Sequence, residues 1–100
     1  MTMPKLTELQ IAALACVRDN RVIPRPEPLG RRTILKYRAF PKVEFPINVR
    51  PKDQRGFDVT SQIGSFRKRR LVRLRERLVE GPLYKLSPAG FEELDKHPEF

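Results

Sequence analysis

Three prolines at alternate positions restrict the fold of this chain more than any other feature of its sequence. They are Pro24, Pro26 and Pro28, and six of the ten prolines fall between Pro24 and Pro51. Proline has no backbone N–H and a fixed φ angle, so this spacing excludes a regular helix and favours extended polyproline geometry. We therefore predict a proline-rich connector over residues 20–32, a stiff surface loop in preference to a ligand for an SH3-like domain.

A capping box predicts where the first helix begins. Thr7 precedes Gln10 by three residues, and the apolar run 11–17 follows. These signals predict a helix over residues 7–19. Seven apolar residues are too few to span a bilayer, and Cys16, the only cysteine, has no partner for an internal disulfide. Since no signal-peptide pattern opens the chain, we expect a soluble cytoplasmic protein with no membrane contact, in which Cys16 is a buried thiol.

The last helix is predicted to begin at Ser87 and Pro88. Serine is a favoured N-cap, and proline is a favoured first-turn residue. Phe91 and Leu94 are then expected to face the core, and residues 95–100 to form a tail.

Strand signals lie between the first helix and the basic part of the chain. Residues 43–49 alternate apolar and polar side chains, which is typical of a strand with one buried face. Residues 33–40 also alternate, although a helix over residues 30–39 is an alternative interpretation. We predict a β-hairpin that pairs 33–40 with 43–49, followed by a loop.

A long basic helix is predicted from the spacing of leucines. The stretch Arg67–Arg77 contains seven basic residues and one acidic residue. Apolar side chains within and around it fall inside an arc of about 140° on a helical projection, which is typical of a core-facing stripe. The spacing predicts one helix over residues 60–79, with Asp58 or Thr60 as its N-cap. The predicted stripe comprises Ile63, Phe66, Leu71, Leu74 and Leu78.

The charge of the chain indicates a polyanionic partner. Twenty-one Lys and Arg residues against twelve Asp and Glu residues give a net charge of +9, which favours nucleic acid or another acidic surface. Residues 1–81 carry a net +11 and residues 82–100 a net −2, so the C-terminal part is excluded as the contact. A solvated helix face usually mixes both signs of charge. The stretch Arg67–Arg77 does not, so polyanion contact is preferred over a solvated face.

Two stretches carry a family resemblance. Residues 71–94 read LVRLRERLVEGPLYKLSPAGFEEL, in which a leucine-rich segment is followed by a short reversal and then by YKLSPAG at Tyr84–Gly90. Residues 6–14 read LTELQIAAL. These stretches resemble the wing and last helix, and the start of the first helix, of winged helix-turn-helix regulators of the MarR and PadR types.

The resemblance implies a fold and a function. The fold class is α+β, a single winged-helix-like domain over residues 1–100 with an extra β-hairpin between the first helix and the long basic helix. The function is that of a small transcriptional regulator, acting as a homodimer, that places the helix 60–79 in the major groove of double-stranded DNA. In that geometry the N-terminal half of the helix faces base edges, and arginines contact guanine or phosphate. The predicted DNA-binding residues are Thr60, Ser61, Gln62, Ser65, Arg67, Lys68, Arg69 and Arg73, with Arg31 and Arg32 of the hairpin as a second phosphate contact.

Three departures from the family pattern support an alternative function. The wing is reduced to residues 80–83, no helix is predicted before the basic helix, and Arg77 stands where the family has a helix-ending glycine. The alternative is a protein-docking module that binds an acidic protein surface of a nucleic-acid-processing assembly, as an inhibitor or adaptor. RNA binding is a third hypothesis.

The sequence contains no catalytic constellation. His97 is the only histidine. The acids Glu44, Asp53 and Asp58 lack the pairing that a two-metal site needs. We therefore predict a protein that is not an enzyme and that needs no metal or cofactor.

Overall fold

Three helices and two small antiparallel sheets make up the part of the chain that the computed structural model describes, residues 5–41 and 56–100. The architecture is α+β, as predicted. One sheet has the strand order β1-β2-β3, and the other is the hairpin β4-β5. In chain order the elements are α1 (Glu8–Arg18), β1 (Val22–Leu29), β2 (Arg32–Ala39), β3 (Phe57–Asp58), α2 (Thr60–Lys68), β4 (Val72–Arg77), β5 (Pro82–Leu86) and α3 (Pro88–Asp95).

The helix α1 lies at the centre of the fold. Every residue from Ile11 to Val17 is buried, because a helix that is apolar on all sides has to be surrounded by other elements. It packs against α3, β1 and β5. The predicted capping box is confirmed, since Thr7 Oγ1 accepts from the backbone N–H of Gln10 at 3.2 Å and the backbone N–H of Thr7 donates to Gln10 Oε1 at 2.8 Å. Cys16 is fully buried, as predicted.

The proline-rich segment forms the strand β1, so the predicted connector over residues 20–32 is wrong. A two-residue turn at Gly30 and Arg31 joins β1 to β2, and the φ of 62° at Gly30 suits a type II′ turn. The pair Leu29–Arg32 next to such a turn is hydrogen-bonded. The following pair, Pro28–Thr33, is not, and bonded and non-bonded pairs then alternate along the strands. The three prolines occupy those alternate, non-bonded pairs. Their nitrogens face away from β2, and the sheet loses no donor.

Residues 33–40 contribute a strand, as predicted, and the alternative helix over residues 30–39 is wrong. This strand, β2, pairs with β1 on one side and with β3 on the other. The predicted partner strand 43–49 lies outside the described residues. The hairpin between the first helix and the basic segment therefore consists of β1 and β2.

The basic segment is divided between a helix and a strand, so the prediction of one helix over residues 60–79 is wrong. The helix α2 ends at Lys68, and β4 begins four residues later. The predicted core stripe divides at the same place. Its members up to Leu71 are buried, whereas Leu74 and Leu78, which lie beyond the helix, are exposed.

The start of α2 differs slightly from the prediction. Its N-cap is the buried Val59, whose side chain has no oxygen with which to cap. Asp58 Oδ1 accepts instead from the backbone N–H of Thr60 at 2.9 Å and from the Thr60 hydroxyl at 2.5 Å. The carboxylate of Asp58 thus stabilises the first turn from the position before the cap.

A Schellman motif ends α2. The N–H of Leu71 donates to Phe66 O at 2.9 Å, and the N–H of Arg70 donates to Arg67 O at 3.1 Å. Leu71 and Phe66 are both buried, which adds the apolar contact that accompanies this motif. The motif requires a left-handed residue, here Arg70 with a φ of 58°. At the end of α1 the left-handed residue is Asn20.

The helix α3 covers the end of α2. Its N-cap is Ser87, as predicted. Ser87 Oγ donates to Arg70 O at 2.6 Å and accepts from the N–H of Gly90 at 3.1 Å. The N–H of Ser87 donates to Leu71 O at 3.0 Å. A Cβ at Gly90 would lie 2.1 Å from that same oxygen, so this close approach requires glycine.

One of the two predicted core residues of α3 does not face the core. Leu94 is buried, whereas Phe91 is 48% exposed. Gly90 lies against the end of α2, and Leu94, four residues later, shares its face. Phe91 is about 100° further round the helix and therefore faces solvent.

Tyr37 fixes both sheets relative to α2. Its backbone N–H donates to Thr60 Oγ1 at 3.0 Å, and its hydroxyl donates to Pro82 O at 2.6 Å. A Cβ at Gly81 would lie 2.8 Å from a methyl carbon of Leu35. The turn between β4 and β5 therefore packs closely on the β1–β2 hairpin.

Candidate nucleic-acid interface

Four arginines lie together where α2 ends and β4 begins. Arg67 is in the last turn of α2, Arg70 is in the turn that follows, and Arg73 and Arg77 are on β4. All four are exposed. We refer to Arg67, Arg70, Arg73 and Arg77 as the arginine cluster.

The arginine cluster lines two neighbouring clefts. The first cleft, about 480 Å³ in volume, is lined by Arg67, Arg70 and Arg73 and by the first residues of α3. The second cleft, about 350 Å³ in volume, is lined by Arg67, Arg77 and Tyr84 among others. Among the described residues, no acidic side chain lines either cleft. Arg67 therefore stands between two open, basic depressions.

The charge of the arginine cluster is not neutralised within residues 5–41 and 56–100, where none of its members forms an ion pair. Two bases of β2, in contrast, are paired. Arg38 Nε lies 2.9 Å from Glu27 Oε2, and Lys36 Nζ lies 3.2 Å from Asp58 Oδ2. The hydrogen bond from Arg38 holds the pKa of Glu27 below its usual value. Since the cluster lacks such partners among the described residues, its positive charge is exposed to solvent.

Tyr84 supports Arg67. The guanidinium carbon of Arg67 lies 5.5 Å from the centre of the Tyr84 ring, within the range of a cation–π contact. The Tyr84 ring in turn packs against Tyr37, with 5.9 Å between the ring centres. Burial, with a smaller contribution from Tyr84, raises the pKa of Tyr37 to about 12. Tyr37 is therefore protonated at neutral pH and donates its hydroxyl hydrogen to Pro82 O.

The predicted base-contacting residues lie on α2 with unequal exposure. Ser61 is exposed, and Gln62 and Ser65 are half-buried. The hydroxyl of Thr60 donates to the carboxylate of Asp58 and accepts from the backbone of β2. Because that hydroxyl is fully engaged inside the fold, it has no hydrogen left for a base.

The remaining predicted contact residues lie in two separate places. Lys68 and Arg69 are beside the arginine cluster at the end of α2, exposed and half-buried respectively. Arg31 and Arg32 are exposed at the tip of the β1–β2 hairpin. That tip is roughly 10 Å along β2 from Leu35, the residue that packs on the β4–β5 turn. The structure brings Arg67 and Arg73 into one site but leaves the hairpin tip apart from it.

The arginine cluster includes Arg70, which the sequence does not predict as a contact, and Arg77, which is predicted only as a residue that contacts backbone phosphate or faces solvent. A signal for Arg77 exists, because arginines at 73, 75 and 77 alternate with the period of a strand. Arg75 itself lies at a β-bulge and donates to Asn20 Oδ1 at 2.7 Å, which directs it to the end of α1. Arg70 carries no such signal, since left-handed helix ends are usually marked by glycine or asparagine.

Other kinds of site find little support in residues 5–41 and 56–100. No group of three or more His, Cys, Asp or Glu side chains there is placed to hold a metal ion. Burial, with a smaller contribution from Asp19, raises the pKa of the Cys16 thiol to about 12, so the thiol is protonated and inaccessible. None of the helices in these residues is long and apolar enough to cross a membrane.

Comparisons of the chain with family models, curated proteins and solved structures found no match. The resemblance of residues 6–14 and 71–94 to winged-helix regulators therefore stays a prediction from sequence motifs.

Proposed function

We propose that this protein binds double-stranded DNA by placing backbone phosphates in the two clefts of the arginine cluster. The observation that carries the proposal is a set of four exposed arginines that have no ion pair among the described residues and line clefts without a described acid. A guanidinium group binds two phosphate oxygens at once. Phosphate contacts of this kind supply nearly all of the affinity for non-specific DNA.

The aromatic side chains of the described region favour a duplex over a single strand. Proteins that bind single-stranded DNA or RNA stack bases on exposed aromatic rings. Tyr37 and Phe66 are buried, and Tyr84 is half-buried beneath Arg67. Phe91 is exposed on α3 but lines neither cleft. Contact with the backbone rather than with unstacked bases is what these residues support.

The helix α2 is the element best suited to a groove. It has nine residues and is about 13.5 Å long, and the major groove is about 12 Å wide. Ser61, Gln62 and Ser65 are its candidate base contacts, and a glutamine can bond adenine through two hydrogen bonds. A helix this short reads few base pairs, so we expect two copies to bind together as a homodimer.

The order of elements supports a winged-helix regulator. A helix, a two-stranded hairpin and a last helix follow one another as α2, β4–β5 and α3, which is the order of recognition helix, wing and final helix in the family that the motifs resemble. The hairpin is longer than the sequence predicts, because residues 72–77 belong to β4. Arg70 rather than Arg77 occupies the helix-ending position.

The test is a binding measurement on matched triple variants. Alanine at Arg67, Arg70 and Arg73 is expected to weaken binding to a labelled 20-base-pair duplex by about 30-fold at 100 mM salt. The slope of log K against log salt should become shallower by about 2.7, because three phosphate contacts are lost. Fluorescence anisotropy at four salt concentrations measures both, with single-stranded DNA and RNA as further probes.

A second triple variant serves as the control. Alanine at Lys5, Arg25 and Lys96, which are exposed and lie outside the cluster and the predicted contacts, removes the same charge. The affinity of this variant should stay within about threefold of the parent's. An equal loss in both variants would show that net charge, rather than the cluster, binds the duplex. Tighter binding of RNA or single strands than of the duplex would replace the DNA proposal by the corresponding alternative.

A protein-docking function is the second candidate, because apolar side chains flank the cluster. Leu74 is 45% exposed, Leu78 39% and Val79 103%. A partner protein would bury these side chains, whereas a phosphate backbone gains little from them. The docking function gains support if the parent binds no nucleic acid but forms a stoichiometric complex with a protein from nuclease-treated lysate. Serine at Leu78 and Val79 should then abolish that complex.

A further inference from the structure

The first cleft has the features of a binding site for a single anionic group. Three arginines, Arg67, Arg70 and Arg73, line it. The remaining lining residues are Val72, Ser87, Pro88 and Ala89. The hydroxyl of Ser87 is already engaged as donor to Arg70 O and as acceptor from Gly90 N–H. The arginines are therefore the polar side chains of the cleft that are left for a ligand.

The backbone conformation of Arg70 is an unusual choice for an arginine. Its φ of 58° lies in the left-handed region, which is unfavourable for residues with a Cβ and is normally occupied by glycine at this position of a Schellman motif. Among the described residues the Arg70 side chain has no partner that would offset this cost. A glycine would form the same turn at lower energy. The stability of the fold therefore does not explain why an arginine occupies position 70.

The backbone that carries Arg70 is held from both sides. Within the turn, the N–H groups of Arg70 and Leu71 donate to carbonyls of α2. From α3, Ser87 Oγ donates to Arg70 O at 2.6 Å and the N–H of Ser87 donates to Leu71 O at 3.0 Å. These four bonds fix the direction in which Arg70 leaves the chain. A fixed direction lowers the entropy that a ligand has to remove on binding.

We propose that the first cleft is a phosphate-binding site, in which Arg70 contacts one phosphate group together with Arg67 and Arg73. The left-handed arginine is retained because its guanidinium reaches that phosphate from the turn. In the complex that we propose above, the phosphate is a diester of the DNA backbone, and to that extent the inference rests on the proposed function. The same chemistry would also hold a free phosphate ion.

The first arm of the test uses inorganic phosphate alone. In a titration to 50 mM followed by ¹H–¹⁵N NMR, the amide signals of Arg70, Leu71 and Arg73 should move along a saturable curve in the parent. The Arg70→Gly variant should show at most a third of that shift. The matched control is Asn20→Gly, at the other left-handed helix end, which should respond like the parent. Shifts that are equally large in Arg70→Gly would overturn the site.

The second arm measures melting and duplex affinity on the same three proteins. Arg70→Gly should melt about 4 °C higher than the parent and yet bind the 20-base-pair duplex five- to tenfold more weakly, with a salt slope shallower by about 0.9. A variant that is more stable but binds less cannot have lost affinity through unfolding. Arg70→Asn, which also tolerates the left-handed conformation, should reproduce the loss of affinity.

The two arms separate failure of the site from failure of the function. If the parent binds the duplex and Arg70→Gly binds it equally well, the phosphate site is overturned and DNA binding stands. If phosphate moves the cleft amides but no duplex binds, DNA binding is overturned and the site stands as a receptor for free phosphate groups. If neither probe produces an effect, both proposals fail.

Discussion

The helices α1 and α2 end with the same Schellman motif but with different residues at its left-handed position. At the end of α1, the N–H of Arg21 donates to Cys16 O at 2.8 Å, and the N–H of Asn20 donates to Val17 O at 3.2 Å. Asn20 and Arg70 both have a φ of 58°. Asparagine visits this conformation at small cost, whereas arginine has no local hydrogen bond that favours it.

The surroundings of the two side chains explain the difference. Asn20 Oδ1 accepts from Arg75 at 2.7 Å, so it ties β4 to the end of α1. Arg70 projects into a cleft beside Arg67 and Arg73. One turn is thus filled by a residue that serves the fold, and the other by a residue that exposes charge. The lesson is that stability and an exposed cation compete for the same backbone position.

The largest effect on the free energy of unfolding is expected at the contact between Gly90 of α3 and the turn that ends α2. In Gly90→Ala the new Cβ would lie 2.1 Å from Leu71 O, so α3 has to move off the turn, at a cost of about 3 kcal/mol in the free energy of unfolding. The control is Gly64→Ala in α2, where a Cβ meets nothing within 4 Å and helix propensity should add about 1 kcal/mol. Urea unfolding followed by circular dichroism measures both. Equal stability of the two variants would mean that α3 does not hold this turn.

Removal of the N-cap side chain should lower the free energy of unfolding more at α3 than at α1. Ser87→Ala removes the bond to Arg70 O as well as the bond to Gly90 N–H, and leaves the carbonyl of Arg70 without this donor in a partly buried position. We expect a loss of about 2 kcal/mol. Thr7→Ala, at the exposed start of α1, should lose about 1 kcal/mol. A larger loss at Thr7 would contradict the bridging role of Ser87.

Substitution by glycine at Arg70 and at Asn20 measures how much the side chain at each left-handed position costs in stability. Arg70→Gly should raise the free energy of unfolding by about 1 kcal/mol, because the strain of the Cβ disappears. Asn20→Gly should change the free energy of unfolding by no more than about 0.5 kcal/mol, because the small relief of backbone strain is offset by the lost hydrogen bond to Arg75. Thermal melts of both variants test this. A destabilised Arg70→Gly would show that the arginine side chain stabilises the fold itself.

The smallest expected effect is the loss, at low pH, of the stability that Asp58 contributes at the start of α2. Partial burial alone would raise the pKa of Asp58, but the hydrogen bonds from Thr60 and the contact with Lys36 outweigh it and hold that pKa below its usual 3.8. The folded chain therefore binds this proton more weakly than the unfolded chain does. The contribution of Asp58 is complete above pH 3.8 and disappears as the pH falls through the lower folded value.

The Asp58→Asn variant measures that contribution. It should melt slightly below the parent at pH 6, and the difference should narrow as the pH falls below 3.8. Thr7, which caps α1, has no titrating group, so Thr7→Ala should lower the melting temperature equally at both pH values. A gap between parent and Asp58→Asn that widens in acid would refute the assignment.

Much of the fold could be predicted where the sequence uses the usual residues at element ends. Thr7 with Gln10 and Ser87 with Pro88 gave the starts of α1 and α3. The end of α2 could not be predicted in this way, because an arginine occupies the position where glycine or asparagine would mark it. The leucine spacing fitted a helix by coincidence, while the arginines of β4 followed the period of a strand.

The candidate site could be predicted only in part, for the same reason. Arg67 and Arg73 are predicted contacts because of their charge and the family geometry, and both line the first cleft. Arg70 was not, since its role depends on a backbone conformation that no pattern of side chains announces. The strand β1 could not be predicted, because alternate prolines also fit an extended polyproline connector. Only the pairing with β2 shows that they occupy positions that donate no hydrogen bond within the sheet.

The nitrogens of Pro24, Pro26 and Pro28, which point away from β2, affect whether neighbouring molecules on one polymer could pair through β1. Neighbouring molecules on a nucleic acid are held at high local concentration, where an open strand edge would invite them to merge into a shared sheet. Along β1, however, the nitrogens of the three prolines point away from β2 and carry no hydrogen to donate. A second molecule would therefore gain few hydrogen bonds along that side of β1, which disfavours extension of the sheet from one copy to the next.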